Sequence, residues 1–341
     1  MIIEPKSITF LYSYKCNFSC LHGSINAGPW HSEVLPLDVV MRVLEEAYYI
    51  SSIQLIVASG GEPTLFPDHL RGLIKRASDL SFITRIVTNA WWASTYEKAR
   101  AFLDELRSLG LDELNISYDD FHDAFLRRYG GFNNVINAAR AAVDLGMRVV
   151  IATIRGKRSL ITAKHLRERL REAGLEDKVY ILEDYLSPTS RAKSLLDDAV
   201  VNVGGLGCSD IGTNISVHPN GDVAFCCGHI TNDSESSWFT RVGNVYRERL
   251  VDIIKRMRSN VLIWYIRLVG PHRLVWRFNE EEQVYHICHA CHLLATKYWH
   301  RLVELAQRKE EWAKELIDYI KSGKYISDLQ SELSESHVLQ S

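Results

Sequence analysis

The 341-residue sequence has no excess of charge of one sign, since 40 lysines and arginines face 42 aspartates and glutamates. This balance gives no general attraction to nucleic acid or acidic lipid, and we expect neither as a partner. No apolar run reaches the roughly 18 residues that a membrane-spanning helix needs. The amino terminus also lacks the architecture of a signal peptide, because a strand pattern begins almost at once. We therefore expect a soluble, cytoplasmic protein.

Scattered cysteines are also absent, because all seven fall into two compact sets. Thiolates at such spacings bind iron–sulfur clusters or zinc, since the soft sulfur ligand suits both. In a reducing compartment, clustered cysteines bind metal more often than they form disulfides. The first set, Cys16 and Cys20, lies in a loop after the apolar run 8–12. The second set contains Cys208, Cys226, Cys227, Cys288 and Cys291.

Strand and helix patterns alternate through the first half of the chain, which predicts parallel βαβ units. Six such units predict a curved or barrel-like parallel sheet with chemistry at the carboxyl ends of the strands. A flat doubly wound sheet fits the same pattern. The predicted strands are residues 7–13, 53–58, 83–88, 114–117, 149–154 and 179–182, and the helices are 37–49, 69–80, 96–109, 133–145 and 163–173.

The pattern changes near residue 190, where we place a domain boundary. Residues 188–207 are typical of a loop, and the Asn220-Gly221 pair between apolar runs predicts a hairpin over 214–226. Helical patterns follow at 250–258 and 293–321, and the last twenty residues are expected to be frayed. The predicted units are a core over 1–190, a small domain over 191–295, and a carboxy-terminal helix with its tail over 296–341.

Five short motifs follow one another along the chain. The Cys-x3-Cys loop comes first, and Ser59-Gly60-Gly61-Glu62-Pro63 follows the second strand. Thr88-Asn89, Ser117-Tyr118-Asp119 and Ser187-Pro188-Thr189-Ser190-Arg191-Ala192 then end the third, fourth and sixth strand patterns. In this order they resemble the motifs of radical S-adenosylmethionine (SAM) enzymes. Residues beyond 190 resemble the SPASM/twitch extension of that family, through Cys208, Gly221, Cys226 and Cys288-His-Ala-Cys291. The resemblance covers about residues 7–295.

The resemblance implies a partial (β/α)6 barrel followed by an auxiliary-cluster domain. In the family, three thiolates of one loop hold a [4Fe–4S] cluster, SAM chelates its open iron, and one electron yields a 5′-deoxyadenosyl radical that abstracts hydrogen from substrate. The implied cofactors are SAM, this core cluster and one auxiliary [4Fe–4S] cluster; a four-cysteine zinc site is the alternative at the second position. The implied partners are a peptide or small-molecule substrate and an external one-electron donor such as ferredoxin or flavodoxin.

Site residues also carry over from the family motifs. Asp119 and Asp120 are candidate acid/base groups or ribose ligands, and Cys227 is expected to be a spare thiol. Trp91 and Trp92 either line a substrate pocket or pack in the core. The candidate metal ligands are Cys16, Cys20, Cys208, Cys226, Cys288 and Cys291, and the candidate SAM-binding residues are His22, Gly60, Gly61, Glu62, Pro63, Asn89, Ser117, Arg155 and Arg191.

Gly23 is the departure from the family pattern, because it occupies the position of the third cluster cysteine. Glycine has no side chain that can bind iron, and we expect His22 to point in the wrong direction to replace it. The parent activity, hydrogen abstraction followed by oxidative modification, is therefore expected to be disabled. One explanation is a single substitution in an otherwise ordinary enzyme, which the retained motifs favour. The alternative is a natural, non-catalytic iron–sulfur or zinc scaffold. Since six residues precede the first strand, we expect no amino-terminal peptide-recognition domain.

Overall fold

The computed structural model of the chain describes residues 3–204 and 207–323. Six parallel strands form one side of a mixed sheet, and the predicted parallel α/β arrangement is confirmed. Across the sheet the strand order is β6-β5-β4-β3-β2-β1-β7-β8-β9. The first six strands are β1 (Ser7–Leu11), β2 (Leu55–Ser59), β3 (Ile83–Thr88), β4 (Glu113–Ser117), β5 (Arg148–Arg155) and β6 (Tyr180–Tyr185).

Helices connect these strands, as the alternating pattern predicts. Three of the connections back to the sheet pass through Gly110, Gly146 and Gly174, whose φ angles of 106°, 72° and 66° are accessible mainly to glycine. The sequence pattern missed α4, which begins after the capping residue Asp119. The helices of this half are α1 (Leu37–Tyr48), α2 (Pro67–Asp79), α3 (Tyr96–Ser108), α4 (Asp120–Leu126), α5 (Phe132–Asp144) and α6 (Ala163–Glu172).

Alternate residues of the parallel strands separate the two faces of the sheet. On β1, Ile8 and Phe10 are fully buried in the hydrophobic core, while Ser7 and Thr9 line a cavity on the other face. On β3, Ile86 is buried in the core and Arg85 lines the cavity. Because side chains alternate along a strand, one face packs on helices and the other is left free for polar groups. The fold therefore builds its core outside the sheet and its cavity inside.

The second half of the chain extends the same sheet. The strands are β7 (Asn214–Val217), β8 (Asp222–Ala224) and β9 (Arg241–Asn244). The predicted hairpin is confirmed, since β7 pairs antiparallel with β8 and Gly221 turns the chain at φ 80°. The sequence did not predict that β7 pairs in parallel with β1, where Ser7 Oγ donates to Asn214 Oδ1 at 2.7 Å.

Short helices complete the second half. A 3-10 segment, Ser190–Asp198, stands where a loop was expected. None of the helices in residues 3–204 and 207–323 combines the length and apolar character that crossing a bilayer requires. The expected frayed tail lies outside the described residues. The helices are α7 (Ser237–Thr240), α8 (Leu250–Ser259), α9 (Val261–Leu268), α10 (Pro271–Phe278), α11 (Ile287–Thr296), α12 (Trp299–Gln307) and α13 (Lys309–Lys321).

Candidate functional site

The inner face of the sheet encloses a cavity of about 410 Å³ at the carboxyl ends of β1 to β4. This is the edge where parallel α/β barrels carry their functional groups. Its volume lies within the range of small-molecule sites, roughly 300–1,000 Å³. The sequence-predicted residues that line the cavity are Cys16, Cys20, His22, Gly60, Gly61, Asn89, Ser117 and Arg191.

The two glycines after β2 dock their loop onto the cysteine loop. A Cβ at Gly60 would lie 2.3 Å from the Ser13 carbonyl oxygen, and one at Gly61 would lie 2.1 Å from the Lys15 carbonyl oxygen. Gly61 N donates to Ser13 O at 2.8 Å. The family motif makes both glycines candidate SAM-binding residues, and both line the cavity. In the structure, the close approach is to the chain's own cysteine loop.

Glu62 lies behind the cavity and is not among its lining residues. It is almost fully buried and accepts from Thr64 Oγ1 at 2.6 Å, Thr88 Oγ1 at 2.8 Å and Asn89 N at 2.8 Å. Burial raises the pKa of its carboxyl, and these hydrogen bonds oppose the shift. Both carboxylate oxygens accept hydrogen bonds from the chain itself, and the predicted role of Glu62 in SAM binding stays a prediction. Glu62 ties the ends of β2 and β3 together.

Pro63, Arg155 and Asp120 also lie away from the cavity lining. The Pro63 carbonyl accepts from Tyr12 Oη at 2.7 Å. Arg155 ends β5 and lies 3.4 Å from Glu183 on the surface. Asp120 accepts from the backbone of residues 160 and 161, which fixes that loop. The structure does not bring these three predicted residues together with the cysteines.

Two thiols of the first cysteine set face the cavity. Phe18 N donates to Cys16 Sγ at 3.3 Å, and Asn89 Nδ2 lies 3.8 Å from the same sulfur. Burial raises the pKa of Cys16 to about 12, and burial together with the charge of Asp119 raises that of Cys20. A thiol of this kind is neutral at pH 7 unless a metal ion displaces its proton.

The place of the missing third thiolate is filled by an arginine. A Cβ at Gly23 would lie 2.0 Å from Arg191 Nη2 and 2.9 Å from Arg191 Cζ. The guanidinium also lies 5.5 Å from the Trp30 ring. Arg191 Nε and Nη1 are buried and have no hydrogen-bond partner among the described residues. A cation therefore lies beside the position that corresponds to the third cluster cysteine of the family motif.

Beside Cys20, one buried carboxylate contacts two histidines. Asp119 Oδ2 lies 3.3 Å from His22 Nε2, and Asp119 Oδ1 lies 3.0 Å from His122 Nδ1. Burial alone would raise the pKa of Asp119, but His122 and His22 hold it below its usual range. Burial lowers the pKa of His22 to about 4. His22 also stacks on Phe121 with a 4.6 Å centroid separation. Asp119 itself caps the start of α4 and is not among the cavity-lining residues.

The second cysteine set converges near Gly228. A Cβ there would lie 3.2 Å from Cys288 Sγ and 3.5 Å from Cys226 Sγ. Burial raises the pKa of both thiols, and each is raised further by the charge of Cys208. The same two causes raise the pKa of Cys291. Four thiols that share one charge neighbourhood, two of them buried and two half-buried, fit a four-cysteine iron–sulfur or zinc site.

Cys227 lines the large cavity. Its side chain is exposed there, although its neighbour Cys226 is buried. The sequence treated Cys227 as a spare thiol and did not place it in the site. No local pattern indicated it, because β8 ends at Ala224 and both cysteines lie in the irregular segment that follows.

The structure also locates one residue that the sequence did not predict and two whose role the sequence left open. His122 was not predicted. The feature that could have identified it is the capping residue Asp119, because it begins α4 and places the first turn of that helix against the cavity. Trp91 Nε1 donates to Thr64 Oγ1 at 2.9 Å and Trp92 Nε1 to Thr88 Oγ1 at 3.1 Å. Both tryptophans pack against the hydrophobic core and neither lines the cavity, which answers the open question of their role.

Two family models match the chain. The radical SAM superfamily matches residues 10–158, and the SPASM iron–sulfur cluster-binding domain matches residues 208–292. The first range contains the cysteine loop and the motifs after β2, β3 and β4. The second contains all five cysteines of the second set.

Individual relatives are distant. The Bacillus subtilis (strain 168) protein named "Putative peptide biosynthesis protein YydG" is 20% identical over 302 residues, which are 84% of this chain and 91% of YydG. "Putative protein YfkA" of the same strain is 26% identical over 184 residues, 50% of this chain and 48% of YfkA. The crystal structure of BtrN in complex with AdoMet and 2-DOIA superposes with a TM-score of 0.51 at 14% identity, covering 80% of this chain and 91% of BtrN. That likeness concerns the fold.

Proposed function

Because the chain belongs to the radical SAM superfamily and carries a SPASM iron–sulfur domain, we propose that it is a peptide-modifying radical enzyme in architecture, interrupted at its radical-generating site. The peptide as substrate class is supported by the similarity to YydG over 84% of the chain. The observation that carries the interruption is Arg191, whose guanidinium occupies the space beside Gly23. A small-molecule substrate remains the second candidate.

The chain's own residues suit the remaining tasks of such a site. His22, Asn89 and Ser117 line the cavity at three different strand ends and are proposed to hold SAM. Cys16 and Cys20 supply two sulfur ligands. When a complete cluster and SAM are bound, the family's chemistry is one-electron cleavage of SAM.

The auxiliary site, in contrast, has a full ligand set. Cys208, Cys226, Cys288 and Cys291 can saturate one [4Fe–4S] cluster, which supplies electron transfer when bound. We propose that His286 supports it from outside, because its Nε2 lies 3.2 Å from Asp184 Oδ1 and its Nδ1 accepts from Cys288 N at 3.1 Å. A closed cluster leaves no iron free for substrate.

The test is restoration of the third thiolate. Anaerobically reconstituted protein is expected to hold about four irons per chain, and Gly23→Cys about eight. The new side chain displaces only the end of the flexible Arg191 side chain, and Gly23→Cys/Arg191→Ala removes this obstacle. Gly23→Ser is the matched control, because it adds a side chain without a thiol. Iron and sulfide analysis is read together with chromatography of 5′-deoxyadenosine under dithionite, expected only from the cysteine variants.

Two results would contradict the proposal. Eight irons in the glycine form would mean that another group completes the core cluster. Equal 5′-deoxyadenosine from Gly23 and Gly23→Cys protein would mean that the glycine does not interrupt SAM cleavage. If neither form made product, the non-catalytic scaffold would become the better description.

The exposed position of Cys227 in the cavity favours a second candidate reaction for the Gly23→Cys enzyme, in which this thiol donates a hydrogen atom to the substrate. A substrate carbon radical in this cavity can take a hydrogen atom from the Cys227 thiol, since an S–H bond is weaker than a C–H bond. The C–H bond forms, the S–H bond breaks, and one electron from the external donor with one proton from solvent regenerates the thiol. The substrate then ends at its original oxidation level, unlike in the oxidation expected from the sequence.

Deuterium labelling separates the two outcomes. In D2O the Cys227 thiol exchanges, so the product of Gly23→Cys protein with a peptide substrate is expected to gain one deuterium at carbon. Adding Cys227→Ser is expected to abolish this incorporation while 5′-deoxyadenosine still forms. Adding Cys226→Ser instead tests the auxiliary site, since it removes a proposed ligand. A product that is two hydrogens lighter and carries no deuterium would favour oxidation.

A further inference from the structure

Three potential metal ligands lie together at the edge of the cavity. Cys20 Sγ and one ring nitrogen each of His22 and His122 are all within 4.8 Å of one another. Cys20 is buried, and the His22 and His122 side chains are 12% and 17% exposed. All three line the same cavity. Soft sulfur and imidazole nitrogen together are a ligand set for a borderline-soft divalent ion.

A single carboxylate orients both imidazoles. Asp119 is held by hydrogen bonds from Phe121 N at 3.0 Å and His122 N at 2.9 Å, so its position is fixed by the start of α4. It contacts His22 through Nε2 and His122 through Nδ1. This leaves His22 Nδ1, which is buried without a hydrogen-bond partner among the described residues, and His122 Nε2 as the free nitrogens. Histidines that bind metal commonly donate their other nitrogen to a carboxylate in this way.

The spacing fits one ion better than a cluster. With metal–sulfur and metal–nitrogen distances of about 2.3 and 2.0–2.1 Å at tetrahedral angles, two ligand atoms of one zinc ion lie about 3.3–3.6 Å apart. The ligand atoms observed within 4.8 Å of one another therefore close by up to about 1–1.5 Å through side-chain rotation when the ion binds. Cys16, which a cubane cluster would share with Cys20, is not in this group. Arg191 lies at the place where a third cluster thiolate would be.

We propose that the site binds a single Zn²⁺ ion through Cys20 Sγ, His22 Nδ1 and His122 Nε2, with Asp119 positioning both histidines. The inference rests on the proposed interruption of the core cluster, because an iron–sulfur cluster would claim Cys20. Three protein ligands and a fourth position open to a cavity are the coordination of reactive rather than structural zinc. The fourth position faces the cavity that Arg191 also lines, where water or a carboxylate group can bind.

The test of the zinc site is to measure the zinc and iron contents of the same protein sample. The full chain is purified anaerobically with its auxiliary site loaded with iron, titrated with ZnCl2, desalted and analysed for both metals. One zinc per chain is expected beside about four irons. Cys20→Ala and His122→Ala are expected to lose this zinc and keep the iron. Asp119→Asn is expected to weaken zinc binding about 10- to 100-fold.

Two matched variants sharpen the test. Cys16→Ala should keep the zinc, because Cys16 belongs to the cluster pattern but not to the three ligands. His300→Ala, which removes an exposed histidine on α12, should also keep it. Since a variant can lose metal by failing to fold, zinc-edge X-ray absorption of the unaltered protein gives an independent reading. One sulfur at about 2.3 Å with nitrogen or oxygen ligands at about 2.0–2.1 Å is expected.

The outcomes are distinguishable. Four sulfurs around the zinc, or zinc lost with Cys291→Ala and kept with His122→Ala, would place the ion at the auxiliary site and overturn the inference. Equal loss with Cys16→Ala and Cys20→Ala would overturn it as well. Four irons and no zinc would reject the inference alone. Eight irons would reject the proposed interruption and the zinc site together.

Discussion

Gly61 illustrates how one missing side chain can shape a site without touching a ligand. Its amide donates to the Ser13 carbonyl, and the space for a Cβ is filled by the Lys15 carbonyl oxygen at 2.1 Å. Both partners are backbone atoms, which cannot rotate away as a side chain can. Any larger residue must push the cysteine loop away from the end of β2. The orientation of Cys16 therefore depends on a glycine in a different loop.

We expect Gly61→Ala to lower the free energy of unfolding by about 1–3 kcal/mol, because overpacking against backbone cannot relax locally. Gly72→Ala is the matched control. It lies inside α2, where a Cβ meets only the flexible ends of Leu37 and Met41 at 3.2 Å. That change is expected to be neutral or to stabilise by up to about 1 kcal/mol. Urea unfolding measures both, and equal effects would contradict the steric argument.

His218 is the buried residue that links the cysteine loop to β7. Tyr14 Oη lies 2.6 Å from its Nδ1, and Ser216 Oγ lies 3.0 Å from its Nε2. Burial lowers the pKa of His218 from 6.5 to about 4. The folded state therefore favours the neutral ring. Its contribution to stability is fully present above pH 6.5 and is lost as the pH falls through 4.

Acidification from pH 6.5 to 4 is expected to reduce the free energy of unfolding, with at most about 3 kcal/mol from His218. His218→Gln should make the pH dependence shallower over this range, since the amide does not titrate. His300→Gln should leave the slope unchanged because His300 is exposed. Urea melts at several pH values measure these slopes. A slope unaltered by His218→Gln would show that other groups carry the acid sensitivity.

At the scale of elements, periodicity predicted most of the fold. The six parallel strands and five of their helices are found within a few residues of their predicted bounds, because each carries a regular apolar pattern. The pairing of β7 with β1 was not predictable in this way, since the pattern of a strand does not specify its neighbour. Helix α9 was missed because Val261–Leu268 is apolar on most sides.

The candidate site also has a part that the sequence could predict and a part that it could not. Motifs at strand ends were predictable, since topology brings all carboxyl ends of parallel strands to one edge. Cys16, Asn89 and Ser117 meet there as expected. The contact of Arg191 with Gly23 and the direction of Glu62 depend on three-dimensional packing between distant loops. No local pattern carries that information, so the sequence could name these residues without assigning their contacts.

At the scale of the whole molecule, the two halves share one sheet. β1 lies between β2 and β7, with Ser7 opposite Asn214 and Phe10 opposite Val217. Because β7 is a direct neighbour of β1, loosening the second half also exposes one side of the central strand. The auxiliary metal is therefore expected to stabilise both halves, since metal binding contributes to folding free energy.

Cys291→Ser is expected to lower protection from hydrogen exchange first in β7 to β9 and then in β1, while β5 and β6 at the opposite edge keep theirs. Cys227→Ser is the control, because four other thiols complete the auxiliary set. Hydrogen-exchange mass spectrometry of the iron-loaded proteins resolves the strands. Loss confined to residues beyond 190, with β1 unaffected, would show that the two halves unfold independently.

The different positions of Cys226 and Cys227 restrict how this chain can evolve. Cys226 is buried with the auxiliary set, and Cys227, the next residue, faces the cavity. Two adjacent residues therefore have different proposed roles. Removing or adding one residue between the turn at Gly221 and Cys226 would shift both thiols from these positions, because the register of β8 sets where the chain leaves the sheet at Ala224. Substitutions in the hairpin are therefore tolerable where changes of its length are not. Among descendants of this sequence, the hairpin loop should vary in composition far more readily than in number of residues.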